Sequence, residues 1–239
     1  MPEPCRQEEI TLRSRGLYDI CLSLSVSERV VPSDIAGEGK RLVMITGANR
    51  GGKSTFLRAV GQAQLMMQCG LFVSAAEFRA NVCSGLFTHY KREEDTAMKS
   101  GKLDEELGRM RAVVRNVKAG GVVLFNESFA STNEREGSEI GRGIVHALIE
   151  KNIKVFFVTH LFDLAWGFWH ERLPDALFLR AERLPDGGRT FRLMEGKPLS
   201  TSFGEDLFRR IFGVPIKPAL VPVRATDSIQ PEPRSADRG

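Results

Sequence analysis

The stretch Leu42-Val-Met-Ile-Thr-Gly47-Ala-Asn-Arg-Gly-Gly52-Lys53-Ser54-Thr55 sets a short apolar run directly against glycines, a lysine and two hydroxyls. An apolar run of this length reads as a buried strand, and the glycine-rich residues after it read as a tight loop opening a helix. Within it, Gly47-x-x-x-x-Gly52-Lys53-Ser54 fits a phosphate-binding loop. In such a loop the glycines let backbone N–H groups wrap an anion, and the positive end of the next helix points at it. Gly47, Ala48, Asn49, Arg50, Gly51, Gly52, Lys53, Ser54 and Thr55 are therefore the candidate nucleotide-binding residues. Lys53 would reach the β- and γ-phosphates, and Ser54 would ligate Mg²⁺. The plainer alternative, a glycine-rich turn before a helix, does not account for the lysine and hydroxyl at this spacing.

Two more apolar runs share the pattern of a core strand that ends in polar residues. Gly121-Val-Val-Leu-Phe125 runs into Asn126-Glu127, and Lys154-Val-Phe-Phe-Val158 runs into Thr159-His160. Continuous apolar strands of this kind belong to parallel sheets covered on both faces, whose ligands bind beyond the carboxyl ends of the strands. Glu127 stands where phosphate-loop enzymes place the carboxylate that orients or deprotonates an attacking water. Asn126 stands where they usually carry the aspartate that holds Mg²⁺; an amide oxygen reaches the metal through a bound water and brings no negative charge. A lone histidine such as His160 is on its own more often structural than functional, but it ends a core strand beside the presumed phosphates.

The remaining segments read as supporting structure. Tyr18, Ile20, Leu22, Leu24 and Val26 alternate with polar residues and predict a half-buried edge strand, and the Pro- and Gly-punctuated residues 30–39 predict a connecting loop. Phe56, Leu57, Val60, Ala63, Met66 and Met67 recur at helical spacing up to a stop at Cys69-Gly70, with Gln62 and Gln64 on the helix surface and the methionines as core filling. Residues 78–90 stay open between strand and loop. The charged residues 91–101 predict an exposed loop. A helix begins at Lys102 with Leu103, Leu107, Met110, Val114 and Val117 on its apolar face. At its head Ser100-Gly101 reads locally as a simple cap. Residues 176–180 and 190–194 predict an antiparallel hairpin at the sheet's edge, and 203–212 a closing helix. From residue 214 to 239 prolines and charges replace periodic apolar residues, the signature of a disordered tail.

Composition narrows the class. With 239 residues, 42% of them hydrophobic, the chain can bury one sizeable α/β core, and a net charge of +4 permits contact with nucleic acid without implying it. Four cysteines, far apart and without a C-x-x-C pair, suggest neither a zinc site nor a disulfide framework, which fits a reducing cytoplasm. No run approaches the length of a membrane helix and the first residues lack the apolar core of a signal peptide, so a cytoplasmic protein with no membrane partner is expected.

Assembled, these pieces resemble the ATPase domain of MutS-type DNA mismatch repair proteins, a branch of the ABC-type ATPases, over residues 30–213. Thr46-Gly-Ala-Asn-Arg-Gly-Gly-Lys-Ser-Thr-Phe-Leu-Arg58 is similar to the family's phosphate loop, with Asn49 and the Thr-Phe-Leu-Arg continuation characteristic. Phe125-Asn-Glu-Ser-Phe-Ala-Ser-Thr-Asn-Glu-Arg-Glu-Gly137 is similar to its metal and water-activating segment with the loop that crosses to a partner subunit. Phe157-Val-Thr-His160 is similar to its switch-histidine segment, and Ser202-Phe-Gly204 to a late element near the nucleotide. The resemblance implies an α/β P-loop NTPase fold of ABC type: a mostly parallel sheet flanked by helices, with an antiparallel edge region. It implies an ATPase domain over residues 1–213, made of N-terminal edge strands in 1–40 and a nucleotide-binding core in 41–213. ATP and Mg²⁺ are the implied cofactors, with Glu127 and His160 catalytic and Ser54 and Asn126 (through water) at the metal.

It further turns Ser100-Gly101 from a cap into the signature offered in trans to a partner's γ-phosphate, which implies a homodimer with composite ATP sites. DNA would be engaged through domains that precede this segment in a full-length protein. Ala48 replaces a usual proline, Arg50 a common methionine, Asn126 the usual aspartate, and Ser128-Phe-Ala-Ser-Thr a Gly-Arg-Gly-Thr-Ser type of sequence, which marks a divergent member. Two functions stay open: an ATP hydrolase whose nucleotide state drives dimer and DNA-clamp rearrangement, and a nucleotide-gated dimerisation module with little hydrolysis, outside mismatch repair.

Overall fold

Residue-by-residue alternation inside the three apolar runs builds two cores on one sheet. The runs become β4 (Leu42–Gly47), β7 (Val122–Asn126) and β8 (Lys154–Val158). Val43, Ile45, Val122, Leu124, Phe156 and Val158 face one layer, while Leu42, Met44, Val123, Phe125, Val155 and Phe157 face the other. This double burial is what a parallel strand with apolar residues at every position requires. The computed structural model describes residues 1–91, 101–200 and 203–213.

The other elements, in chain order, are β1 (Glu3–Cys5), β2 (Leu12–Leu17), α1 (Ile20–Ser25), β3 (Ser33–Ala36), α2 (Lys53–Gln68), β5 (Glu77–Asn81), β6 (Leu86–Tyr90), α3 (Lys102–Asn116), α4 (Glu134–Glu150), α5 (Phe162–Glu171), β9 (Ala176–Arg183), β10 (Arg189–Glu195) and α6 (Gly204–Phe212). The larger sheet has the order β10-β9-β4-β8-β7-β6, and all neighbours in it are parallel except the edge pair β9/β10. Helix α2 and a second sheet, ordered β1-β5-β2-β3, share the core on one face. Helices α3, α4 and α5 cover the other. The protein is thus α/β, with mixed sheets flanked by helices, and the expected antiparallel hairpin lies at the sheet's edge. Residues 1–204 form one compact unit; helix α6 runs into a second, and within it the Phe208 and Phe212 ring centres lie 4.6 Å apart.

Several expectations are corrected. The alternating residues 18–26 form helix α1, not a strand, because Asp19 caps it: its carboxylate accepts the Leu22 N–H and also bonds Arg58 Nε at 2.8 Å and Gln62 Nε2 at 3.0 Å. Those bonds hold the Asp19 carboxyl below its ordinary pKa although burial pushes the other way. Within 30–39, predicted as loop, residues 33–36 pair with β2 as strand β3. Gln64 is not on the surface: it is buried and donates to the Asn81 carbonyl and to Gln68. Met67 is core, as expected of it. The open segment 78–90 resolves into β5 and β6, one in each sheet. On α3 the core-facing residues are Glu106 and Met110, with Val117 at its C-cap, whereas Leu107, assigned to the apolar face, is 36% exposed. The tail 214–239 and most of the charged loop lie outside the described residues.

Candidate functional site at the carboxyl ends of the central strands

Parallel pairing brings the predicted site residues together. Asn126 is in register with Val158, and the Glu127 N–H donates to the Val158 carbonyl at 2.9 Å. The Thr159 N–H in turn donates to the Ile45 carbonyl at 3.1 Å, two residues before Gly47. Glu127, His160 and the glycine-rich loop therefore share one edge of the sheet.

The loop is shaped by its contacts. Gly47 (φ 101°) lies so close to β9 that a Cβ there would sit 2.9 Å from the Ala181 nitrogen. Gly52 (φ 90°) is the left-handed N-cap of α2, a conformation that favours glycine. Gly51 is buried with Ala181 at its back, and its N–H donates to the Ala48 carbonyl at 3.1 Å. Asn49 and Arg50 are exposed, and Arg50 adopts a positive φ of 58°. Lys53 is 6% exposed, and its ammonium donates to the carbonyls of Gly47 (3.0 Å) and Ala48 (3.1 Å), so it closes the loop from beneath. Burial pushes the Lys53 pKa down; the Glu127 charge opposes this and Arg189 adds to it.

Ser54, in the first turn of α2, donates its hydroxyl to the Asn126 side-chain oxygen at 2.7 Å. Two neutral oxygens thus meet at the strand end, and among the described residues no cluster of three His, Cys, Asp or Glu could bind a metal alone. That donor set fits Mg²⁺ only as an ion that keeps waters and takes phosphate oxygens, its usual mode. Thr55 is half-buried in the same turn.

Glu127 adopts φ 57° and hydrogen-bonds the His160 Nδ1 through its carboxylate. The His160 pKa is raised, first by that hydrogen bond and then by the Glu127 charge, against burial and the nearby Lys91 and Lys53. In an NMR titration His160 should therefore titrate above its ordinary value near 6.5, and Glu127→Gln should bring it down. An unchanged value in that variant would contradict the pairing.

Some site features were not foreseen. Arg189 of β10 donates to the Asn49 carbonyl at 3.1 Å and so braces the loop from the edge hairpin. A cavity of about 470 Å³ opens beside the loop, walled by Leu22, Val30, Val31 and Phe191 and reaching Arg50 and Gly52. Nothing local in the sequence announces either feature, since both depend on segments far apart in the chain meeting across the fold. Gly101 caps the start of α3, exposed, with no described atom outside its immediate neighbours within 4 Å of a Cβ built on it. Ser100 and Ser202 lie outside the described residues. Phe203 stacks under the Arg183 guanidinium, 4.5 Å from the ring centre. All four cysteines are free, and among the described residues no helix is long and apolar enough to cross a membrane.

Comparison with known proteins identifies the frame that carries this site. The chain is 28% identical over 234 residues to the DNA mismatch repair protein MutS of Syntrophomonas wolfei, covering 96% of this chain and 26% of that protein. It is 32% identical over 181 residues to the DNA mismatch repair protein MutS of Thermus aquaticus (74% and 22%), and 26% identical over 170 residues to MutS protein homolog 4 of Mus musculus (71% and 17%). The chain thus spans about a quarter or less of the length of these curated relatives. The family model for MutS domain V matches residues 43–205, a stretch that holds the loop, both polar strand ends and helix α3, and the chain belongs to that family.

Proposed function

We propose that this chain is the ATP-binding and ATP-hydrolysing domain, of P-loop and ABC type, of a MutS-like DNA mismatch repair protein. The observation that carries the reading is the meeting, at the ends of three neighbouring parallel strands, of the loop closed by Lys53, the Ser54–Asn126 pair and the Glu127–His160 pair. Backbone N–H groups of residues 47–55 and the N-terminus of α2 bind the phosphates, and Lys53 turns its ammonium from the loop carbonyls to the β- and γ-phosphates. The base enters the apolar cavity beside Gly52. Ser54 and, through water, Asn126 would hold Mg²⁺, which when bound would neutralise charge on the phosphates. Glu127 orients the attacking water and accepts its proton; His160 fixes the Glu127 carboxylate and faces the γ-phosphate.

The exposed start of α3 at Gly101 suits a surface offered to a second copy. Ser100-Gly101 of one subunit then completes the site of the other in a two-fold homodimer. The nucleotide state drives rearrangement of that dimer and of a DNA clamp formed by other parts of a full-length, cytoplasmic protein. The neutral Asn126 favours one alternative, a nucleotide-gated dimerisation module with little hydrolysis and no part in mismatch repair.

Mixing two inactive variants tests the composite site. Lys53→Ala cannot bind ATP but still offers an intact signature; Ser100→Arg binds ATP but offers its partner a bulky cation. In a mixed dimer both lesions fall on one site and leave the other whole. With random exchange half the dimers are mixed and each has one good site of two, so recovery to about a quarter of the wild-type ATPase rate is expected. No recovery, with subunit exchange verified, would contradict sites completed in trans.

A further inference from the structure

Immediately behind Glu127 lies a buried polar cluster that the proposed chemistry does not use. Glu106, on the core side of α3, is 2% exposed; its Oε1 accepts the Phe129 N–H at 2.7 Å, while Oε2 meets no donor among the described residues. Beside it, the Ser128 hydroxyl lies 2.7 Å from both the carbonyl and the Nδ1 of His89, and His89 Nε2 is 3.1 Å from the Glu106 carbonyl. A carbonyl only accepts, so Nε2 carries the proton. The single Ser128 hydroxyl proton goes to the His89 carbonyl, and burial pushes the His89 pKa down. His89 also stacks on Phe129, with ring centres 5.5 Å apart. Helix α3 thus grips residues 128 and 129 by a carboxylate, and by its backbone through His89.

That grip falls on strained backbone. Glu127 and Phe129 both adopt positive φ, 57° and 63°, a region that non-glycine residues enter only at a cost. Such a conformation persists only where its surroundings impose it. A buried carboxylate with one donor is also a poor source of stability, because its desolvation outweighs a single hydrogen bond. What it supplies instead is a fixed acceptor at one place.

We propose that Glu106 is the positioning residue for Glu127: from helix α3 it holds the 127–129 turn in its left-handed form, so the orientation of α3 and the placement of the Glu127 carboxylate form one mechanical unit. Gly101 is the N-cap of helix α3, so a partner that docks on that end acts on the carboxylate that orients water. For its effect on turnover the inference rests on the ATPase reading; for the geometry it does not.

The test compares Glu106→Leu, which removes the acceptor, with Glu106→Gln, which keeps one. In Glu106→Leu the Phe129 amide should exchange about ten- to hundredfold faster, as expected for loss of a hydrogen bond to a charged group. The imidazole ¹⁵N signals of His160 should leave their Glu127-bonded positions, and kcat should fall at least about tenfold with ATP affinity within about twofold. Glu106→Gln should restore all of these to within about threefold of wild type. Wild-type Phe129 exchange and His160 signals in folded Glu106→Leu would overturn the inference, as would a Glu106→Gln protein as impaired as Glu106→Leu. If Glu106→Leu does not fold, Glu106→Asp carries the test, because it keeps the carboxyl group but draws the acceptor back by one methylene from the Phe129 N–H: faster Phe129 exchange supports the inference and wild-type exchange overturns it. A wild-type protein that binds ATP without turnover would defeat the hydrolytic reading, and the exchange rates and His160 signals would still decide whether Glu106 holds the turn.

Discussion

Replacing Lys53 with alanine should abolish measurable ATP binding and leave the fold intact. Lys53 is almost fully buried beneath the loop, and Glu127 and Arg189 are the charges that bear on it. Without the ammonium, a bound triphosphate would lose the cation that the loop presents to its β- and γ-phosphates. Loss of one partner from a buried charged pair costs about 3–5 kcal/mol, a weakening of two to three orders of magnitude or more. The cost to the empty protein is small by comparison. Its bonds to the Gly47 and Ala48 carbonyls are ordinary ones, worth about 1 kcal/mol each. Unchanged calorimetric affinity, in a variant with wild-type circular dichroism, would remove Lys53 from the binding site.

The second large effect falls on rate rather than on binding. Glu127→Gln keeps the shape of the side chain and a hydrogen bond to His160 but removes the base, so ATP should stay bound and the dimer should live longer. Turnover should fall at least about tenfold, since general-base assistance is typically worth about 10²–10⁴. Its neighbour should respond in the opposite direction. Asn126→Asp places a negative charge beside the Ser54 hydroxyl and should tighten Mg²⁺ binding, because hard cations prefer carboxylate oxygen. Full phosphate release by Glu127→Gln would assign the base to another group.

The difference between these two positions shows how much of the molecule its sequence discloses. Strands β4, β7 and β8 were legible because their runs are almost wholly apolar and their polar ends mark where the sheet meets solvent. The glycine-rich loop and the start of α2 were legible because spacing alone specifies them. The strand expected at 18–26 failed because a single capping carboxylate, fixed by Arg58 and Gln62 some 40 residues away, outweighs a short alternating pattern. Residues 33–36 read as loop and 78–90 stay open between strand and loop, because these short strands β3, β5 and β6 mix polar and apolar residues without the continuous apolar runs of β4, β7 and β8. Glu106 was hidden for a related reason: a charged residue on an amphipathic helix reads as solvent-facing until the fold supplies a donor such as the Phe129 amide. Asn126 was visible in the sequence, but its contact with Ser54 appears only when β7 and α2 are brought together.

Whether this domain binds ATP through Lys53 and hydrolyses it as a dimer is tested most directly by calorimetric titration of the wild-type chain with ATP and Mg²⁺, then by phosphate release from the same sample at rising protein concentration. ATP binding should be saturable and absent from Lys53→Ala, and the rate per chain should increase with concentration as dimers complete their sites. ATP that fails to bind at millimolar concentration, or phosphate release that Lys53→Ala retains in full, would contradict it.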